Sequence, residues 1–206
     1  MLDPESLLAA GGLLALIAVV FVESGLLVGL FLPGDSLLFI AGFLASPAGG
    51  SVMPALGLVI LGAFVAAVVG DQVGYSIGTA AGRRYLDRPD GRFFTRERYE
   101  RARHFMARHG WRAVVLARFV PIVRTFTPLA AGVAEMPRRR FTTANLVGGL
   151  IWAASLPALG WWLGNLRLVH DNLEAAVLAI VALSLLPMVR EVVAARRRAV
   201  GGDATG

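Results

Sequence analysis

The chain has no cysteine and no lysine among its 206 residues, and only three histidines. Without cysteine there is no disulfide framework, no thiol nucleophile and no thiolate metal ligand. His104 and His109 lie five positions apart in a basic stretch and His170 is distant, so no metal site and no cofactor are expected. Charge is scarce as well. Only 17% of residues are charged and 56% are apolar, against about 25% and 45–50% in soluble domains. That balance excludes an ordinary soluble domain, a disordered tail and a secreted disulfide scaffold.

What is present is long apolar runs. Ser36 to Gly70 is 35 residues without a charge, Phe141 to Leu166 is 26, and Ser6 to Val22 is 17. Runs of about 18 or more apolar residues read as membrane spans. The chain is therefore expected to be an all-α polytopic membrane protein. All 20 basic residues are arginine, and ten of them lie between Arg83 and Arg112 against four acids. A block of that kind between apolar regions marks the cytoplasmic side of a membrane. It argues against nucleic acid as a partner despite the net charge of +6.

The residue order gives a layout. The start, Met1-Leu2-Asp3-Pro4-Glu5, is acidic, whereas a cleaved signal peptide opens basic. Asp3 reads as an N-cap with Pro4 in the first turn, so 1–22 is expected to be a retained first helix. Spans follow at 53–82, 141–166 and 173–190, with a tail over 191–206. The apolar pieces Ser24–Leu32 and Ser36–Ala45 are too short to cross about 30 Å of hydrocarbon at 1.5 Å per residue. A re-entrant hairpin over 23–46, turning at Pro33 and Gly34, fits them better. A second hairpin is expected over 113–137, broken between Pro121 and Pro128. Within the basic loop 83–112, Tyr99, Ala102, Phe105 and Met106 share one helical face, so Thr95–His109 is expected to be an amphipathic helix on anionic headgroups. Charge parity then gives four spans, two hairpins entering from opposite faces, and both termini in the cytoplasm.

Five charges lie where charge is expensive: Glu23, Asp35, Asp71, Arg118 and Arg124. Each costs about 2.5–3.5 kcal/mol at the membrane centre, together on the order of 12–17 kcal/mol if deep and unpaired. Structural ion pairs would explain them, and so would a polar site between two hairpin tips. In the second reading Arg118 and Arg124 offer forked donors to a lipid phosphate. Glu23 and Asp35 couple to protons or another cation. Asp71 opens a ridge of glycines, Gly70, Gly74, Gly78 and Gly82, which fits close helix packing better than a ligand, with a place in a polar path left open.

The same residues resemble a known family. Phe21-Val22-Glu23-Ser24-Gly25-Leu26 leading to Phe31-Leu32-Pro33-Gly34-Asp35-Ser36 resembles the first signature of the DedA family. Ala117-Arg118-Phe119-Val120-Pro121-Ile122-Val123-Arg124-Thr125, with Pro128, Ala131-Gly132 and Met136, resembles the second. The likeness runs from about residue 20 to 165, and the family shares the VTT domain of eukaryotic lipid scramblases. The resemblance implies a multi-pass protein of the bacterial inner membrane with two facing re-entrant hairpins. It further implies transport of undecaprenyl phosphate or phosphatidylethanolamine linked to the proton motive force. By position, Glu23 and Asp35 match the family's essential acids, and Arg118 and Arg124 its essential arginines.

Two other classes stay open beside a coupled lipid transporter or an uncoupled scramblase. An intramembrane enzyme would want a positioned nucleophile or base, but no histidine falls in an expected span or hairpin. An assembly protein would use the arginines as internal ion-pair partners.

Overall fold

A computed structural model describes residues 4–25, 34–86 and 96–166 of the chain. The described residues form six helices and no strand: α1 Pro4–Gly25, α2 Gly34–Leu44, α3 Leu56–Leu86, α4 Arg96–Ala117, α5 Pro121–Val133 and α6 Arg138–Gly164. Two of them, over Leu56–Gly82 and Arg138–Gly164, are long and apolar enough to cross a membrane. At 1.5 Å per residue, 27 residues extend about 40 Å, more than the hydrocarbon thickness.

α3 is the central helix, packed against α1, α5 and α6, while α2 lies along α6 and α4 covers α5 and α6. The approaches are close because small residues line them. A methyl group at Gly70 would meet the Phe21 carbonyl of α1 at 2.8 Å, and one at Gly78 would collide with the Leu129 carbonyl of α5. The glycine ridge on α3 is thus a packing face for two neighbours. Gly42 on α2 rests in the same way on the backbone of Pro157 in α6.

Three apolar clusters form among the described residues, a small one around Phe43 and Ala48 and two larger ones. One joins α1, α2, α3 and α6 through Val20, Leu38, Val59, Ala63 and Ala153. The other joins α3 to α6 through Tyr75, Val114, Ala131 and Phe141, with the Tyr75 and Phe141 rings stacked 4.6 Å apart. The Tyr75 hydroxyl donates to the Met136 carbonyl at 2.6 Å. Outward faces are apolar too: Leu58, Leu61, Val65 and Val69 on α3 and Leu146, Leu150 and Ile151 on α6 are exposed. Glu23, Asp71 and Arg118 are buried while these faces of α3 and α6 are exposed and apolar, an arrangement suited to lipid surroundings.

The layout departs from the sequence expectation in several places. α1 runs through Glu23, Ser24 and Gly25, so these residues end a helix instead of opening a hairpin. Pro33, half of the expected first turn, and the expected elements over 173–190 and 191–206 lie outside the described residues. α3 runs past the expected end of its span to Leu86. The amphipathic stretch is not a separate surface helix: α4 continues from Arg96 through Ala117, merging the basic segment with the first arm of the second hairpin.

The turn of that hairpin falls at 118–120, earlier than expected. Pro121 stands at the first helical position of α5, where its missing N–H is not needed. Pro128 lies inside α5. The Thr127 hydroxyl beside it donates to the Val123 carbonyl at 2.7 Å. Prolines that looked like breakers therefore start one helix and sit within it.

Candidate functional site

The costly charges meet in a polar layer bounded by the two larger apolar clusters. Arg118 lies in the short turn between α4 and α5, where Phe119 N–H bonds to the Leu116 carbonyl at 3.1 Å and Val120 N–H to the Ala117 carbonyl at 3.0 Å. The guanidinium reaches Asp71 on α3 as an ion pair and also donates to the Asn145 side-chain oxygen on α6. Asn145 in turn donates to the Val68 carbonyl of α3 at 3.1 Å. The α6 face carrying Asn145, Gly148, Gly149 and Trp152 has the spacing of one helical side and cradles this arginine. A methyl at Gly148 would lie 3.3 Å from Arg118 Cδ, and one at Gly149 3.5 Å from its Cζ. The pair is sealed, with side chains 6% and 9% exposed.

Arg124, in the first turns of α5, makes a different arrangement. One guanidinium nitrogen pairs with Glu23 at the end of α1, and another with Asp35 Oδ1 in the first turn of α2 at 2.5 Å. One forked cation thus ties three helices together. Asp35 also accepts the Trp152 indole N–H at 2.9 Å, and Arg124 Cζ stands 4.8 Å from the Trp152 ring centre. Arg118 Cζ is 5.9 Å from the same ring, so one indole neighbours both cations. Asp35 is the open edge: its side chain is 37% exposed, against 11% for Arg124 and 8% for Glu23. Gly34 leaves room for the Glu23 carboxylate, which a methyl group there would displace.

The structure therefore brings together Glu23, Asp35 and Arg124, and separately Asp71 and Arg118. The two arginines pair with different carboxylates. Among the described residues three carboxylates face two guanidinium groups, so with all five ionised one negative charge is in excess. Among the described residues two buried polar atoms, Glu23 Oε2 and Arg118 Nε, have no hydrogen-bond partner. Such orphans are expensive in a core and are tolerated at sites that exchange partners.

The sequence reading did not single out Asn145 and Trp152. A signal for Asn145 existed, since an amide inside a 26-residue uncharged run needs a polar partner. Trp152 gave none, because an indole in an apolar helix is ordinary core. Among the described residues no group of three or more histidines or carboxylates could hold a metal ion.

Comparison with known proteins adds the family. The VTT domain family model matches residues 32–162. Protein DedA of Escherichia coli K12 is 39% identical over 184 residues, covering 89% of this chain and 83% of that protein. An uncharacterized membrane protein of Mycobacterium tuberculosis is 40% identical over 215 residues, covering 98% and 92%. The inner membrane protein YghB of Escherichia coli K12 is 31% identical over 175 residues, covering 82% and 76%. No solved structure matches the chain.

Proposed function

The chain belongs to the DedA family of VTT-domain membrane proteins, and on that premise we propose that it moves a phosphate-headed lipid across the bacterial inner membrane. Undecaprenyl phosphate is the first candidate, with movement coupled to protons or another cation. The observation that carries the proposal is the Arg124 clamp: a buried guanidinium held by two carboxylates from two other helices, open at Asp35.

The chemistry follows from competition. A phosphate entering past Asp35 can take over donors that Arg124 now gives to the carboxylates. It also meets one excess negative charge. At 4 Å and an effective dielectric of 20, each like-charge contact costs about 4 kcal/mol, about a thousandfold in affinity. Adding a proton or a cation to Glu23 or Asp35 removes that repulsion and frees Arg124. Binding of the anionic headgroup and uptake of positive charge are then one event, and release on the far side reverses both. Arg118 takes the supporting role in this scheme: through one guanidinium nitrogen it meets both Asp71 and Asn145, and so holds the α4–α5 turn to α3 and α6.

The same charge excess favours a second reading. A zwitterionic lipid such as phosphatidylethanolamine carries its own ammonium, which could meet Glu23 and Asp35 while its phosphate meets Arg124. Such a scramblase needs no coupling ion. Proteoliposomes separate the two. Coupled transport predicts that undecaprenyl phosphate translocation falls when pH and cation gradients are collapsed. Translocation of phosphatidylethanolamine alone, indifferent to every gradient, supports the scramblase and overturns the coupled reading.

The membrane layout belongs to the proposal as well. α1, α3, α6 and the segment 173–190 would span. The 23–46 and 113–137 regions would enter from opposite faces and meet at the Arg124 clamp. The basic loop and both termini would lie in the cytoplasm.

A further inference from the structure

A second charged surface lies outside the Arg124 clamp and takes no part in it. α4 presents Arg108 and Arg112 to solvent, and the first turn of α6 presents Arg138, Arg139 and Arg140. The two helices are joined at that point. The Trp111 indole N–H donates to Thr143 Oγ1 at 3.3 Å, and the Thr143 hydroxyl donates to the Arg140 carbonyl at 3.1 Å. Gly110 lies beneath against Met136, where a methyl group would come 3.2 Å from the sulfur. The five exposed arginines thus flank one fixed helix–helix contact. Among the described residues none is paired with a carboxylate.

Two features say what covers it. The first is the indole of Trp111, which is 42% exposed amid the arginines. An amphipathic ring beside cations, at the end of an apolar bundle, is the composition of a membrane interface. The second is an electrostatic conflict. α6 opens with three arginines, no acid in its first turn and no side-chain cap. The positive end of a helix favours anions, and three cations there repel it and one another. An anion on this surface relieves that repulsion. Depth agrees as well: Trp111 to Arg118 is seven residues, about 10 Å along a helix, so the polar layer would sit well below a headgroup at Trp111.

We propose that this α4–α6 surface is a docking site for anionic phospholipid headgroups of the leaflet it faces, separate from the transported lipid. The occupant is a lipid and not a soluble anion, because Trp111 supplies the interfacial contact that a free phosphate would not use.

The test uses the purified full chain in neutral detergent, with short-chain phosphatidylglycerol as the probe and thermal shift and native mass spectrometry as readouts. Phosphatidylglycerol should bind, lose affinity as salt rises, and outcompete phosphatidylcholine. The pair variants Arg108→Gln/Arg112→Gln and Arg139→Gln/Arg140→Gln should each weaken it about fivefold or more per arginine removed. Each pair leaves three arginines of the surface in place, which favours normal insertion. Arg108→Lys/Arg112→Lys should restore most of the affinity. Unchanged affinity in both glutamine variants, failure of the lysine variant to rescue, or equal binding of glycerol phosphate would overturn the proposal. None of these readouts depends on lipid translocation, so they stand or fall apart from the transport reading.

Discussion

Removing Asp71 strands a cation in the sealed layer. Arg118 has side-chain exposure of 6%, and its remaining side-chain acceptor in the described contacts is Asn145. Asp71→Leu therefore leaves a buried charge without its counterion, a change that costs about 3–5 kcal/mol in comparable sites. Arg118→Met strands the carboxylate and should cost a similar amount. For a chain of this length about 1 kcal/mol moves Tm by 2–4 °C, so each single variant should melt roughly 6–20 °C lower. The double variant Asp71→Leu/Arg118→Met removes both charges and replaces them with side chains of usable size. It should recover most of the loss, because two well-packed apolar residues often equal or exceed a buried pair. The assay is thermal denaturation of purified protein in one detergent, read as a double-mutant cycle. Single variants within about 1 kcal/mol of the wild type, or a double variant no better than the worse single, would refute a sealed structural pair.

Three further outcomes follow from the same contacts. Gly34→Ala should displace the Glu23 carboxylate that packs against it, reducing transport more than tenfold at a Tm change of only a few degrees; wild-type transport would argue against Glu23 as a clamp member. Trp152→Phe keeps an aromatic ring but loses the indole bond to Asp35, worth about 1.5 kcal/mol, whereas Trp152→Ala opens the buried cluster at about 3–5 kcal/mol; a Trp152→Phe variant as stable as the wild type would deny the bond any role. Single cysteines can be placed at Ser24 and Ala45 in a chain that has none, and they should label from the same side of the membrane; labelling from opposite sides would remove the first re-entrant region and reopen every later orientation.

How much was legible in the sequence depends on what each residue costs. Glu23, Asp35, Arg118 and Arg124 stood out because charge in an apolar run is expensive wherever it lies, and that penalty needs no fold to be recognised. Which charge pairs with which was not legible. Asp71 looked like part of a packing ridge because four glycines surround it at helical spacing. Both roles hold: the glycines seat α1 and α5, and the carboxylate turns to Arg118. The turn of the second hairpin, expected between Pro121 and Pro128, falls at 118–120 because Pro121 starts α5 and Pro128 sits within it. Local proline rules do not see the close seat of Pro128 on α3 beside Gly74. The basic helix was expected to end near His109, but only tertiary contacts through Gly110 and Trp111 reveal that it continues into the bundle. Neutral partners such as Trp152 carry no sequence penalty and emerge only when the helices are assembled.

The central claim is a division of labour: Arg124 engages the lipid phosphate and Arg118 holds the fold. The most direct measurement is the amount of phosphate-headed lipid retained per purified protein for two variants, with undecaprenyl phosphate supplied in excess. Arg124→Gln should remain folded, since Asp35 stays hydrated and glutamine still offers Glu23 a donor, yet it should lose the lipid by about tenfold or more, the loss of one charge-assisted contact set. Asp71→Leu/Arg118→Met should retain it. Full retention in Arg124→Gln together with loss in the folded double variant would reverse the assignment and contradict the account.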